Sequence, residues 1–262
     1  MQNIVSLTIS LLLCSSALAL PLVTVGRAPV APKIDGALDD AAWEHAIMLS
    51  DYTLMNTVLR APQQTETRVL HDQDALYLSF RCYEIVLQPA QQRVHEFRAK
   101  HGPETRDERV WSEDGVEVFL STQTSGQPYF HFVVNALGAR FDGRGNGDKN
   151  WNPEWQAAAR RFDAGHYDVE IRIPFSSLGA NPKPGHLWRA QFCRNRQPKE
   201  SFHSAWPPPI GGYHEPANFA HLRFVPRELP EVRFPGFTEF SGVGQAQIIS
   251  TGLRGSVARV HV

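Results

Sequence analysis

The sequence predicts an all-β protein, an antiparallel β-sandwich of jelly-roll-like form. Three observations predict it. Short segments alternate apolar and polar residues, turn signals separate them at close intervals, and runs of helical period are few. The 262 residues include 19 Gly and 19 Pro, in keeping with many turns. Hydrophobic residues make up 42% and aromatics 10%, enough for a packed core, so wholesale disorder is excluded. With 26 Lys+Arg against 27 Asp+Glu, the chain lacks the basic surplus that phosphate neutralisation requires, and nucleic acid is not an expected partner.

Residues 1–19 (MQNIVSLTISLLLCSSALA) read as a secretion signal. Their apolar centre, Ile4 to Leu13, falls short of the ~20 apolar residues a bilayer span needs. It leads into Ala17-Leu18-Ala19, a small-x-small cleavage pattern. The expected product is secreted or periplasmic, with no membrane segment after cleavage. Cys14 leaves with the signal. Cys82 is in phase with Leu76, Leu78 and Phe80, whereas Cys193 is out of phase with Trp188, Ala190 and Phe192. Opposite faces predict two free thiols rather than a disulfide.

A single domain is expected over 20–226. Asp39 can cap a short helical turn leading to Trp43. Strands are predicted at 65–71, 75–83, 115–121, 129–136, 167–173 and 187–194. Turns are predicted at Asp72-Gln73-Asp74, Ser125-Gly126, Asp163-Ala164-Gly165 and Pro182-Lys183-Pro184-Gly185. Segment 88–108 is polar and charged and reads as a long surface loop. Residues 227–262 form a tail in which strand-breaking prolines precede a candidate terminal hairpin.

Alternation also sorts the faces, because successive strand residues point to opposite sides of a sheet. It places Val116, Val118, Leu120, Phe130, Phe132 and Val134 toward the core. Glu117, His131, Asn135 and Gln191 then share the opposite face, which in an antiparallel sheet is ordinarily solvated. Trp111 runs into Glu113, Asp114 and Glu117, an acidic cluster compatible with a glycosidase pair or a cation site. The loop 141–150 spaces Asp142, Asn146 and Asp148 with glycines, as calcium loops do. The sequence contains no HExxH, GxSxG, P-loop or GxGxxG motif.

Six pieces in order resemble the family 9 carbohydrate-binding modules. They are Lys33-Ile34-Asp35-Gly36-Ala37-Leu38-Asp39 with Trp43, then Thr67-Arg68-Val69-Leu70-His71-Asp72 with Leu76-Tyr77-Leu78, then Trp111 through Phe119. Phe132-Val133-Val134-Asn135, Val169 through Phe175, and Phe219 through Phe224 complete the set. The resemblance implies a β-sandwich that holds polysaccharide or oligosaccharide chains, often the reducing ends of xylan- or cellulose-type glycans, between two aromatic rings. On that pattern Trp111 and Tyr213 are the stacking rings, and Glu117 and Asn135 bond sugar hydroxyls. Val133 departs from the pattern, which has an Arg there. The resemblance also implies structural calcium. Two other classes compete. One is a glycoside hydrolase using Glu113, Asp114 or Glu117. The other is a haem-binding sandwich, not expected here because Met48 and Met55 are the only methionines left after signal cleavage.

Overall fold

The computed structural model describes residues 20–84, 98–145, 148, 150–197 and 201–229, together with the backbone of 247–248 and 258–259. All six predicted strands form, within two residues of their expected bounds: β4 (Thr65–His71), β5 (Ala75–Tyr83), β6 (Gly115–Ser121), β7 (Phe130–Asn135), β10 (His166–Pro174) and β11 (Leu187–Arg196). Seven further strands join them: β1 (Leu22–Arg27), β2 (Ile47–Leu49), β3 (Thr53–Leu54), β8 (Arg140–Arg144), β9 (Gln156–Phe162), β12 (Phe202–Trp206) and β13 (Ala220–Phe224).

Their arrangement corrects the expected sandwich. The strands make one large mixed sheet in the order β8-β7-β6-β11-β13-β1-β4-β5-β10-β9. Its two halves are antiparallel, and β1 joins them. Leu22–Val25 pair parallel with β13, and Gly26–Arg27 pair parallel with β4. Parallel neighbours need a long connection, which residues 28–64 supply between β1 and β4. Because one strand belongs to both halves, the sheet wraps around its contents rather than stacking as two independent layers.

The enclosed core draws on both halves. Val116, Val118, Leu120, Phe132 and Phe192 meet Val69, Leu78, Phe80, Val169 and Ile171, all fully buried. Cys82 lies in this core, and Cys193 lies across the sheet in a separate cluster. Both are free thiols, as their opposite phases predict.

The first motif piece is structural. A 3-10 turn, Ala41–His45, has Asp40 rather than Asp39 at its N-terminal end, with no side-chain cap. It buries Trp43 against Leu70 and Tyr77. The Glu170 carboxylate accepts the backbone N–H groups of Asp35 (3.0 Å) and Gly36 (2.9 Å) and the Trp43 Nε1–H (2.9 Å). Gly36 has φ +83°, and a Cβ there would lie 2.9 Å from the Ala159 carbonyl carbon, so only glycine fits. Glu170→Ala would leave three donors without their acceptor, at about 1–3 kcal/mol for each buried one. A loss of roughly 3 kcal/mol or more is expected in urea unfolding, and an unchanged midpoint would refute this role for Glu170.

In the tail, Gln247–Ile248 pair antiparallel with Ala258–Arg259. Residues 1–19, whose sequence reads as a secretion signal, lie outside the described residues.

Candidate functional site

The candidate residues gather on the face of β6, β7 and β11 that points away from the core. Alternation assigns that face correctly but not its solvation. Glu117, His131, Asn135 and Gln191 are all buried. What covers them is the 3-10 turn Val110–Ser112 on one side and the chain from β12 to β13 on the other. Val110, Val133, Ala139 and Phe141 form an apolar cluster against which Trp111 packs. Phe119, Tyr129, Cys193, Ala205, Tyr213 and Phe219 form a second.

Trp111 is half-buried and meets the Phe141 ring edge-on at 4.8 Å. Val133, in place of the pattern's Arg, is fully buried in the cluster behind this tryptophan. Behind the ring this chain therefore offers an apolar support, where the resemblance implies a polar group.

Glu117 is the chemical centre. It is 5% exposed, and both carboxylate oxygens are held: His131 Nε2 lies 2.5 Å from Oε2, and Asn195 Nδ2 donates to Oε1 at 2.5 Å. Burial pushes the carboxyl's pKa up, but the hydrogen bond and charge of His131, with Asn195 behind them, outweigh it and hold it below the ordinary value. Asn195 Nδ2 also donates to the Trp111 carbonyl at 3.0 Å, and His203 Nδ1 lies 2.7 Å from Asn195 Oδ1. His131 stacks on Phe119 at 4.2 Å, and its ring lies 5.1 Å from that of His214. His214 Nδ1 in turn lies 2.9 Å from the Tyr129 hydroxyl. Burial lowers the pKa of His214, with a further contribution from His131.

Two of the expected ligand contacts have other partners. Asn135 is fully buried. Its Nδ2 donates to the His101 carbonyl (2.9 Å) and Glu113 (2.7 Å), and its Oδ1 accepts the Leu137 and Ala139 N–H groups. That side chain fastens the turn from β7 to β8 to the segment before β6. Tyr213 is 7% exposed, and its hydroxyl donates to the carbonyls of Arg194 (2.9 Å) and Ser204 (3.0 Å). Its ring therefore forms part of the site's wall beneath His203, with which it makes an edge contact at 5.9 Å, and not an open stacking face opposite Trp111.

The acidic cluster divides in the same way. Glu113 accepts from Lys100 N, His101 N and Asn135 and lies 2.5 Å from His101 Nδ1. Asp114 accepts from Arg98 N and Gln197 N. Both tether neighbouring chain, which leaves Glu117 as the carboxylate of this face.

Two of the three residues suggested for calcium, Asp142 and Asp148, lie among the described residues. Asp142 is fully buried, and its Oδ1 accepts from Arg106 and from Trp155 Nε1. Asp148 is exposed and accepts from Asn150 N, while Asn146 lies outside the described residues.

Asn195, His131 and His203 complete the site. Asn195 falls one residue past the predicted end of its strand, and β12 carries His203 without a clear alternating pattern. The β11–β12 register, which sets Asn195 opposite His203, is what brings them together.

Comparison with known proteins agrees with this fold. A carbohydrate-binding-protein candidate from Bacteroides uniformis superposes with a TM-score of 0.60 at 16% identity, covering 79% of this chain and 100% of its own. A carbohydrate-binding module of family 9 from Caldicellulosiruptor kristjanssonii, solved with glucose, gives 0.54 at 19% identity, covering 79% and 97%. A family 9 module from the same organism, solved with cellotriose, gives 0.54 at 18% identity, covering 83% and 100%. No curated protein matches the chain. The sequence profile described as carbohydrate family 9 binding domain-like matches residues 34–206, well over half the chain, and on that match the protein belongs to this family.

Proposed function

We propose that the protein is exported and binds neutral oligosaccharide chains of the cellulose or xylan type, near their reducing ends, on the Trp111–Glu117 face. One observation carries the reading. A half-buried indole stands beside an ionised carboxylate whose two oxygens are each fixed by a buried donor. A sugar offers an apolar ring face and hydroxyl donors, and a site for it needs an aromatic surface with a few immobile polar groups. The glucose and cellotriose held by the C. kristjanssonii modules support the choice of ligand class. Export is supported by the apolar run and Ala17-Leu18-Ala19 at the N-terminus.

The test is titration calorimetry with glucose, cellotriose and xylotriose, before and after borohydride reduction of the trisaccharides. Binding of at least one trisaccharide is expected, weakened or lost on reduction. Heat changes that match buffer dilution for every sugar would refute saccharide binding. Equal affinity for native and reduced chains would refute the end preference alone.

A further inference from the structure

We propose that His203 is a specificity-determining contact of this site, presenting its Nε2 as a hydrogen-bond acceptor to a sugar hydroxyl; the proposal rests on the saccharide reading above. The chain of partners leading out from Glu117 fixes the chemistry. An ionised carboxylate only accepts hydrogen bonds. One end of the Asn195 side chain lies 2.5 Å from Glu117 Oε1 and 3.0 Å from the Trp111 carbonyl oxygen, so that end faces two acceptors and must be the NH2 group. The other end is then the carbonyl oxygen, Oδ1, which cannot donate. His203 Nδ1 lies 2.7 Å from it, so Nδ1 must carry the hydrogen. A neutral imidazole protonated at Nδ1 has its lone pair on Nε2.

The placement suits a ligand contact. Asn195 is 1% exposed and lies beneath, whereas His203 is exposed at the rim, its ring steadied edge-on by Tyr213 at 83° between planes. No described residue hydrogen-bonds Nε2. The buried carboxylate thus dictates, through one amide, which hydrogen-bonding sense the rim histidine shows to solvent. A neutral sugar hydroxyl, which must donate its hydrogen somewhere, fits that sense.

Two measurements test this separately. The first uses the free protein at pH 8 and reads the 15N chemical shifts of the His203 imidazole. A dominant Nδ1–H tautomer is expected, and a dominant Nε2–H tautomer would overturn the proposal whatever the protein binds. The second is calorimetry with cellotriose on His203→Leu and His203→Gln. Leucine removes the acceptor, and affinity should fall about three- to tenfold, the range expected for one hydrogen bond. Glutamine retains a planar donor–acceptor pair, donating to Asn195 and accepting from the ligand, and should stay within about twofold of wild type. All three proteins should be folded at 25 °C, with His203→Gln melting close to wild type and His203→Leu somewhat lower, because leucine leaves the buried Asn195 Oδ1 without its donor. Wild-type affinity in His203→Leu, or an equal loss in both variants, overturns the contact while leaving saccharide binding intact. Absence of binding by wild type overturns both.

Discussion

Replacing Glu84 by Ala is expected to destabilise the protein by about 3–5 kcal/mol, the range for breaking a buried ion pair from one side. Glu84 and Arg194 are both fully buried and paired with each other, and Arg196 Nε donates to the second Glu84 oxygen at 2.9 Å. Arg194 also donates to the carbonyls of Gln63, Gln64 and Tyr83 and lies over the Tyr167 ring at 5.7 Å. Those carbonyls help to solvate the guanidinium but carry no net charge. Without Glu84 the cation would lose its directly paired carboxylate and keep those dipoles and the charge of Asp114. At roughly 2–4 °C per kcal/mol for a domain of this size, the melting temperature should fall by on the order of 10 °C. A shift under about 2 °C would show that water or chain movement relieves the charge, and the pair would then not be holding the core. The consequence reaches the site, because Arg194 sits between Cys193 and Asn195 on β11. Its carbonyl anchors the Tyr213 hydroxyl, and the next residue holds Glu117.

How much of this the sequence discloses depends on how local each feature is. Strands β4, β5, β6, β7, β10 and β11 are legible because each is half of a sheet's inner surface and its period-two pattern is written into consecutive residues. Strand β9, QAAARRF, has no large apolar residue before Phe162, and β12, FHSAW, and β3 are too short for a period to show. Strand β1 has the pattern, yet its parallel neighbours lie far along the chain, so no hairpin signal marks it. The closure of the sheet depends on that strand, and an expectation built from hairpins therefore arrives at a purely antiparallel sandwich. The site divides along the same line. Alternation places Glu117 and His131 on one face. It does not show that the chain from 201 to 219 crosses that face and buries it, nor that Tyr213 lies under rather than over the rim. Asn135 illustrates the limit most clearly. Its face is as expected, but four hydrogen bonds to its own neighbourhood make it a turn fastener, and those partners are visible only once β7, β8 and the segment before β6 are folded together.

Loss of the Trp111 ring should have the largest effect on binding. An indole that covers a few tens of Å² of a sugar face contributes on the order of 1–2 kcal/mol at about 25 cal/mol per Å², so Trp111→Ala should weaken cellotriose binding about tenfold or more. Because the ring is only half-buried against Phe141, the variant should lose less stability than the ~3–5 kcal/mol of a fully buried tryptophan and should remain folded at 25 °C. Glu117→Gln acts by a different route. His131 Nε2 and Asn195 Nδ2 approach from two sides as donors, and an amide can accept on only one of them, so its NH2 must confront the other. The expected cost is about 1–3 kcal/mol in stability, together with weaker binding because the charged acceptor is gone. The pH dependence gives an independent check. A carboxyl held below its ordinary value stabilises the fold above the unfolded pKa of ~4.3, and that contribution disappears as pH falls through the folded value. Wild type should therefore lose stability more steeply than Glu117→Gln below about pH 4, while the affinity of wild type for cellotriose stays level between pH 5 and pH 7 as far as Glu117 governs it. Parallel acid-unfolding curves for the two proteins would mean that Glu117 gains nothing from His131 and Asn195. Unchanged cellotriose affinity in a folded Trp111→Ala protein would remove the indole from the site altogether.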